Sequence, residues 1–168
     1  MPETAPWAAI ADKQAIYEVI LRYCRGIDRL DLELVRSCYH PGAIDHHTNF
    51  EGNRDEFVLW VEAALRRLAG TMHLVGNHLV EIDGDRARCE TYCTAFHWAD
   101  PATSTLENLT TGIRYVDRFE RRGGQWLIAE RFALREWIRA EPNQRGADPA
   151  EGPTGSRGRS DPVYLPLR

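Results

Sequence analysis

The sequence lacks several features that mark common classes of protein. In its 168 residues no segment approaches the roughly 20 apolar residues of a membrane-spanning helix, and its first residues lack the pattern of a secretory signal. The four cysteines form no CxxC pair, so we expect buried thiols rather than disulfides or a zinc site. The patterns GxGxxG, P-loop, GxSxG and HExxH are also missing. These absences predict a cytoplasmic protein whose chemistry needs no cofactor.

The chain also has no excess of positively charged residues. The formal net charge is −4 and the sequence pI is about 5.9, so the protein should repel nucleic-acid phosphates and anionic lipid surfaces. We therefore expect neither a nucleic-acid partner nor a membrane partner. Hydrophobic residues make up 43% and charged residues 27%, the balance of an ordinary globular protein. The length suits one well-packed domain.

The N-terminal part of the chain shows the apolar periodicity of helices. An amphipathic helix is predicted from Ala11 to Ile27, and a short second helix from an Asp31 N-cap to about Tyr39. The sequence His40-Pro41-Gly42 then breaks the helical pattern. A third helix is predicted from about Asn53 to Ala69, ended by Gly70.

After Gly70 the apolar period changes to two, which indicates strands. Two antiparallel hairpins are expected, with tight turns at Asp83-Gly84 and Gly123-Gly124. The four predicted strands are Thr71–Ile82, Arg86–Trp98, Asn108–Arg121 and Gln125–Ile138. Helices followed by hairpins predict the α+β class.

The two ends of the chain differ in composition from the part between them. Residues 141–168 are rich in Pro, Gly, Arg, Ser and Asp, without periodicity, and close on the apolar segment Val163–Leu167. We interpret them as an extended tail whose apolar end lies along the body or along a neighbouring subunit. The predicted organisation is an N-terminal extension at 1–10, a domain at 11–140 and this tail.

Asp28 and His73 are the first candidates for acid–base chemistry. Asp28 lies at the edge of the apolar stripe of the first helix, although an Asp there also serves to end a helix. On the first strand, the face of His73 is predicted to carry Val75, Asn77 and Leu79. This mixed face suits a cavity wall, and a purely structural histidine suits it too. If the two pair, the carboxylate fixes the imidazole tautomer and leaves the other nitrogen to accept a proton.

Tyr23 and Arg131 are further candidates. Tyr23 can donate a hydrogen bond to a substrate oxygen, or it can be a core aromatic residue. Arg131 lies between Ala129 and Ala133, whose small side chains leave room for a guanidinium that stabilises developing negative charge. An exposed strand arginine fits the same pattern.

The segment Asp45-His46-His47 contains three residues of types that bind metals. Adjacent side chains of a strand point to opposite faces, and no further ligand stands at a recognisable spacing. We therefore expect no metal site.

Four segments together carry a resemblance to a known family. They are IYEVILRYCRGID ending at Asp28, CYHPGA from Cys38, TMHLVGN around His73 and YVDRFERRGGQW from Tyr115. From about Ala11 to Ile138 the sequence resembles the SnoaL-like branch of the nuclear-transport-factor-2-like superfamily. That branch includes scytalone dehydratase, bile acid 7α-dehydratase and hexachlorocyclohexane dehydrochlorinase.

The resemblance implies a fold and a site. The fold would be a cone in which a strongly curved, mostly antiparallel sheet wraps the N-terminal helices around a deep apolar cavity. Asp28 and His73 match the Asp that orients the His which removes a proton in these lyases. Tyr23 matches a tyrosine of the bile acid dehydratase, and Arg131 matches an arginine of the dehydrochlorinase.

The resemblance also implies a function. We expect a cofactor-independent lyase, dehydratase-like, that acts on a small and mostly apolar substrate such as a steroid, terpenoid or polyketide. Family members are commonly dimers or trimers through the outer sheet face, so a homo-oligomer is expected. An isomerase or polyketide cyclase with the same dyad remains an alternative, as does a non-catalytic binding protein.

Overall fold

The residues that the structure describes form three helices and six strands, an α+β structure, as the sequence predicts. The computed structural model describes residues 6–100, 103–143 and 155–166. Its helices are α1 (Pro6–Arg29), α2 (Leu32–Ser37) and α3 (Arg54–Leu65). Its strands are β1 (Tyr39–His47), β2 (Phe50–Asn53), β3 (Gly70–Asp83), β4 (Arg86–Trp98), β5 (Asn108–Arg122) and β6 (Gln125–Glu141). A short 3₁₀ turn, Pro162–Tyr164, lies near the C-terminus.

The strands form one curved sheet in the order β2-β1-β6-β5-β4-β3. Only the pairing of β1 with β6 is parallel among the described strands, so the sheet is mostly antiparallel, as expected. Irregularities in register interrupt β3, β5 and β6, and such bulges bend a strand and increase its twist. The apolar stripe of α1 packs against the sheet through Ile16, Val19, Ile20, Tyr23 and Ile27.

Helix α1 begins at Pro6, earlier than the predicted start at Ala11. It ends where Leu30 takes a left-handed conformation with φ of 55°, and the Asp31 amide donates to the Gly26 carbonyl at 2.8 Å. A Cβ at Gly26 would lie 2.7 Å from Val35 Cγ2. Gly26 is therefore needed for the close approach of α2 to α1.

Strands β1 and β2 were not predicted from the sequence. The second helix ends at Ser37, short of the predicted Tyr39, and the chain then forms a strand that contains Pro41. Strand β1 pairs with β6 in parallel, with a register shift between Tyr39 and Ile44. It also carries the charged side chain of Asp45 inward, fully buried. An inward charge and an internal proline both remove the apolar alternation by which strands are predicted.

Helix α3 starts where the sequence predicts, and Asn53 is its N-cap. The Asn53 side chain accepts hydrogen bonds from the amides of Asp55 and Glu56, and the Glu56 carboxylate accepts one from the Asn53 amide. The helix ends at Leu65, four residues before the predicted Ala69. It buries Phe57, Val58, Val61 and Leu65.

Strand β3 contains a bulge that changes which residues face inward. The pairing register with β4 shifts between Val75 and His78. As a result Val80 is buried, whereas Leu79 is 62% exposed and Asn77 is also exposed. The prediction that Asn77 and Leu79 share the face of His73 was therefore wrong, because the bulge inserts an extra residue between them and His73.

The described part of the tail lies along the body of its own chain. The Arg157 guanidinium donates to the carbonyls of Leu65 and Leu68 at 2.9 and 3.0 Å. Arg29 forms an ion pair with Asp161 at 3.2 Å. These polar contacts hold the segment, while the apolar side chains of its end, such as Leu165, stay exposed. The rest of the predicted tail, 144–154 and 167–168, lies outside the described residues.

All four cysteines are buried, as predicted. Among the helices of the described ranges, none combines the length and the apolar character that crossing a bilayer requires.

Candidate active site

The structure brings Asp28 and His73 together. Asp28 lies in the last turn of α1 and His73 near the start of β3, and Asp28 Oδ1 is 2.7 Å from His73 Nδ1. The same carboxylate accepts hydrogen bonds from the Thr71 hydroxyl and the His73 amide, both at 3.0 Å. An ionised carboxylate only accepts hydrogen bonds, so this contact requires a proton on Nδ1, and the imidazole with its single proton there would present Nε2 as an acceptor.

His73 lines a cavity of about 240 Å³ between the helices and the sheet. Its side chain is 5% exposed, whereas Asp28 lies behind it and does not line the cavity. Most of the wall is apolar, with Trp60, Val61 and Leu65 from α3 and Leu109, Ile113 and Ile138 from the sheet. The polar side chains that reach it include Tyr23, His47, His97, Thr111 and Arg135. An apolar cavity with a few convergent polar groups is the usual form of a small-molecule site.

Tyr23 lines this cavity from α1. Only 2% of the residue is exposed, and burial raises the pKa of its hydroxyl well above the usual range. The hydroxyl therefore keeps its proton and can donate a hydrogen bond. Its ring stacks against the Arg131 guanidinium at 4.2 Å from the ring centroid.

Arg131 does not line the cavity, which corrects the expectation that its charge would act on a substrate. The residue is fully buried between the rings of Tyr23 and Tyr115, each 4.2 Å from the guanidinium. Its Nε and Nη2 donate to the two oxygens of Asp117 at 2.8 and 2.7 Å. The small neighbours Ala129 and Ala133 do leave room for the side chain, but a buried carboxylate neutralises its charge.

Arg135 and His97 are ionisable residues of the cavity wall that were not identified as site residues from the sequence. Arg135 lies on the same strand as Arg131 and reaches the cavity rim, exposed to solvent. His97 on β4 is paired with Thr71 of the neighbouring strand β3, and its ring centroid lies 6.0 Å from that of His73. Burial, and then the neighbouring His73, lower the pKa of His97 to about 4. Strand alternation was the signal in the sequence for both residues. Arg135, for example, lies an even number of residues after Arg131 and therefore points to the same face of the strand.

The segment Asp45-His46-His47 divides between the two faces of β1, as strand geometry predicts. His46 stacks on Phe132 at 4.2 Å between ring centroids, away from the cavity. Asp45 is fully buried, and its carboxylate is bonded to Nδ1 of His47, which lines the cavity. Within the described ranges, no three acidic, histidine or cysteine side chains are grouped so that they could hold a metal ion.

The chain is similar to proteins of known sequence and structure. An uncharacterized protein of Mycobacterium tuberculosis, Rv2910c, is 27% identical over 127 residues, which cover 74% of this chain and 85% of that protein. A provisionally assigned scytalone dehydratase from Novosphingobium aromaticivorans superposes with a TM-score of 0.71 at 18% identity, covering 82% and 97% of the two chains. A hexachlorocyclohexane dehydrochlorinase, LinA-type3 from Novosphingobium barchaimii, gives 0.73 at 14% identity, covering 84% and 97%. At these identities the two structures show a shared fold.

The sequence profile of the SnoaL-like domain matches residues 8–132, which is most of the chain. The matched region includes α1 with Asp28 and Tyr23, the strand of His73, and β6 as far as Phe132. The chain therefore belongs to the SnoaL-like domain family of the nuclear-transport-factor-2-like superfamily.

Proposed function

We propose that the protein is a cofactor-independent lyase of the dehydratase type, acting on a small and mostly apolar organic substrate. The observation that carries the proposal is the 2.7 Å contact between Asp28 and His73, with the imidazole in the wall of an apolar cavity. His73 Nε2 is the general base, and Asp28 is a positioning residue that fixes the tautomer. The dehydratase and dehydrochlorinase names of the structural neighbours support an elimination reaction.

Tyr23 donates a hydrogen bond to a substrate oxygen in this proposal. Its hydroxyl stays protonated because burial raises its pKa, and it lies in the same cavity wall as His73. The Arg131 guanidinium packs against the Tyr23 ring and does not contact the substrate. The role expected for Arg131, stabilising charge on the substrate, is not part of the proposal.

The volume of the cavity favours a substrate at the small end of the predicted range. Drug-sized ligands occupy pockets of about 300–1,000 Å³, whereas this cavity measures about 240 Å³. A bicyclic ketone of polyketide or terpenoid type fits such a volume better than a four-ring steroid does. The apolar wall favours a substrate with few charged groups.

An isomerase or a cyclase would use the same first step, proton removal beside a carbonyl, so the nature of the product separates these reactions. A purely binding protein would not need a carboxylate placed to orient an imidazole in the cavity wall. The paired side chains of Asp28 and His73 therefore favour catalysis over binding alone.

Deuterium exchange tests the proton-removal step without knowledge of the natural substrate. The protein is incubated with 1-indanone in D₂O, and loss of the signal of the hydrogens next to the carbonyl is followed by NMR. We expect the protein to accelerate exchange, and His73→Asn to lose about 10²- to 10⁴-fold of that acceleration, the usual contribution of a general base.

The matched control is His78→Asn, which changes a histidine of the same strand that bonds Thr91 and does not line the cavity. This variant should exchange the ketone at the wild-type rate. Full exchange activity in the His73 variant would rule out His73 as the base.

A further inference from the structure

A second carboxylate–imidazole pair lies in the wall of the same cavity. His47 Nδ1 is bonded to Asp45 Oδ1, and Asp45 Oδ2 accepts a hydrogen bond from the Tyr39 hydroxyl at 2.7 Å. The His47 side chain is 15% exposed and lines the cavity that His73 also lines. Nε2 of His47 has no hydrogen-bond partner among the described residues. The pair thus repeats the arrangement of Asp28 and His73 on another strand.

The buried charges around Asp45 are the environment in which His47 would act as an acid. Strand register places Asp45 opposite Arg131 on β6, and Arg131 opposite Asp117 on β5. These two carboxylates and the one guanidinium are all at most 1% exposed. With both carboxyls ionised and no further positive charge, the buried group would carry a net charge of −1, and an unbalanced buried charge is costly. A protonated His47 makes the group neutral.

The Asp28 carboxylate does not need a protonated histidine in the same way. It accepts three hydrogen bonds, two from side chains and one from a backbone amide. The charge of Arg157 in the C-terminal segment also interacts with that of Asp28. Asp45, in contrast, has hydrogen bonds only from Tyr39 and His47 within the described chain. The two imidazoles therefore suit opposite tasks, His73 accepting a proton and His47 donating one.

We propose that His47 is a second catalytic residue, the general acid that complements His73, and that the substrate is a β-hydroxy carbonyl compound. The inference rests on the proposed lyase function and specifies its substrate class. Hydroxide is a much poorer leaving group than chloride, so loss of a hydroxyl group gains far more from a proton donor than loss of a chloride does. An acid in the cavity wall therefore favours loss of water over loss of a halide.

The proposed step balances in atoms and electrons. His73 Nε2 takes a proton from the carbon next to the carbonyl, and the electron pair of that C–H bond becomes the new C=C bond. The C–O bond at the next carbon breaks, and the departing oxygen takes the Nε2 proton of His47 and leaves as water. His73 ends protonated and His47 neutral, and proton exchange with solvent restores both.

The test compares two reactions in the variant His47→Gln. Exchange of 1-indanone in D₂O needs only the base, whereas dehydration of 3-hydroxy-1-indanone to indenone needs the acid as well. We expect dehydration to fall by about 10²- to 10⁴-fold while exchange stays within a few-fold of wild type. Equal losses in both reactions, or no loss in either, would overturn the inference.

The matched control is His46→Gln, which removes the neighbouring imidazole on the opposite face of β1 and should change neither reaction. A substrate-free measurement covers the case in which His47→Gln fails to fold. In ¹⁵N NMR spectra of the wild-type protein at neutral pH, both ring nitrogens of His47 should carry protons. A neutral His47 would overturn the inference by itself, whereas wild-type inactivity on both ketones would count against the proposed function instead.

Discussion

His97 should make the stability of the protein depend on pH. Its imidazole has a pKa of about 4 in the folded protein because it is buried and lies beside His73, whereas a free imidazole titrates near 6.5. Between these values the unfolded chain binds the proton and the folded chain does not. Stability should therefore rise with pH across this window, and His97 accounts for at most about 3 kcal/mol of that rise.

Thermal unfolding between pH 4.5 and 7 checks this prediction. The wild-type melting temperature should increase with pH, and His97→Phe should flatten the increase because it removes the titrating group. An unchanged pH dependence in the variant would show that another group is responsible.

Residue-level prediction worked where the local period decides which way a side chain points. Asp28 and Tyr23 lie inward because they belong to one helical stripe, and His73 because strand alternation places it there. Arg131 also points inward, but its partner Asp117 lies 14 residues away on a neighbouring strand. Only the strand register brings them together, and a single sequence does not give that register.

At the scale of elements, the outer face of the sheet carries several exposed apolar side chains. A groove of about 670 Å³ is lined there by Leu74, Tyr92 and Trp137, which are 63%, 44% and 50% exposed. The Trp137 ring packs over Gly112, where a Cβ would lie 2.1 Å from the indole nitrogen. Exposed apolar patches of this kind mark interaction sites, which supports the proposed homo-oligomer through the outer sheet face.

Light scattering after size-exclusion chromatography checks the oligomer. The wild-type protein should elute as a dimer or trimer, and Trp137→Glu should shift it toward the monomer because a charge would be buried between copies. Leu59→Glu is the control, because Leu59 is 67% exposed on α3, away from the sheet. A monomeric wild-type protein would contradict the proposal.

Elements were predicted where the periodicity is regular and missed where it is not. The four long strands follow their alternation, and the start of α3 lies next to the predicted Asn53. Strand β1 was missed because it contains Pro41 and points a charged Asp45 into the core. The bulge in β3 was missed because a register shift leaves little trace in the sequence of one strand.

At the scale of the whole molecule, the cavity arises because the curved sheet and the helices meet at only part of their surfaces. α1 packs against β3 and β6, and α3 lies near β1 and β2, which leaves space between α3 and β5. The family resemblance predicted the cavity, but the second carboxylate–imidazole pair beside it lies on β1, which was not predicted. The C-terminal segment was expected to lie along the body or along a neighbouring subunit. Its described part lies along the body, through contacts that are polar rather than apolar.

The tautomer of His73 is the property on which the proposed chemistry depends most directly. Long-range ¹H–¹⁵N correlation spectra of the unliganded protein at neutral pH measure it without any substrate. We predict a proton on Nδ1 and an unprotonated Nε2 in the wild-type protein, with a shift toward the Nε2-protonated form in Asp28→Asn. A wild-type His73 with its proton on Nε2 would contradict the account, because the nitrogen that faces the cavity could then accept nothing.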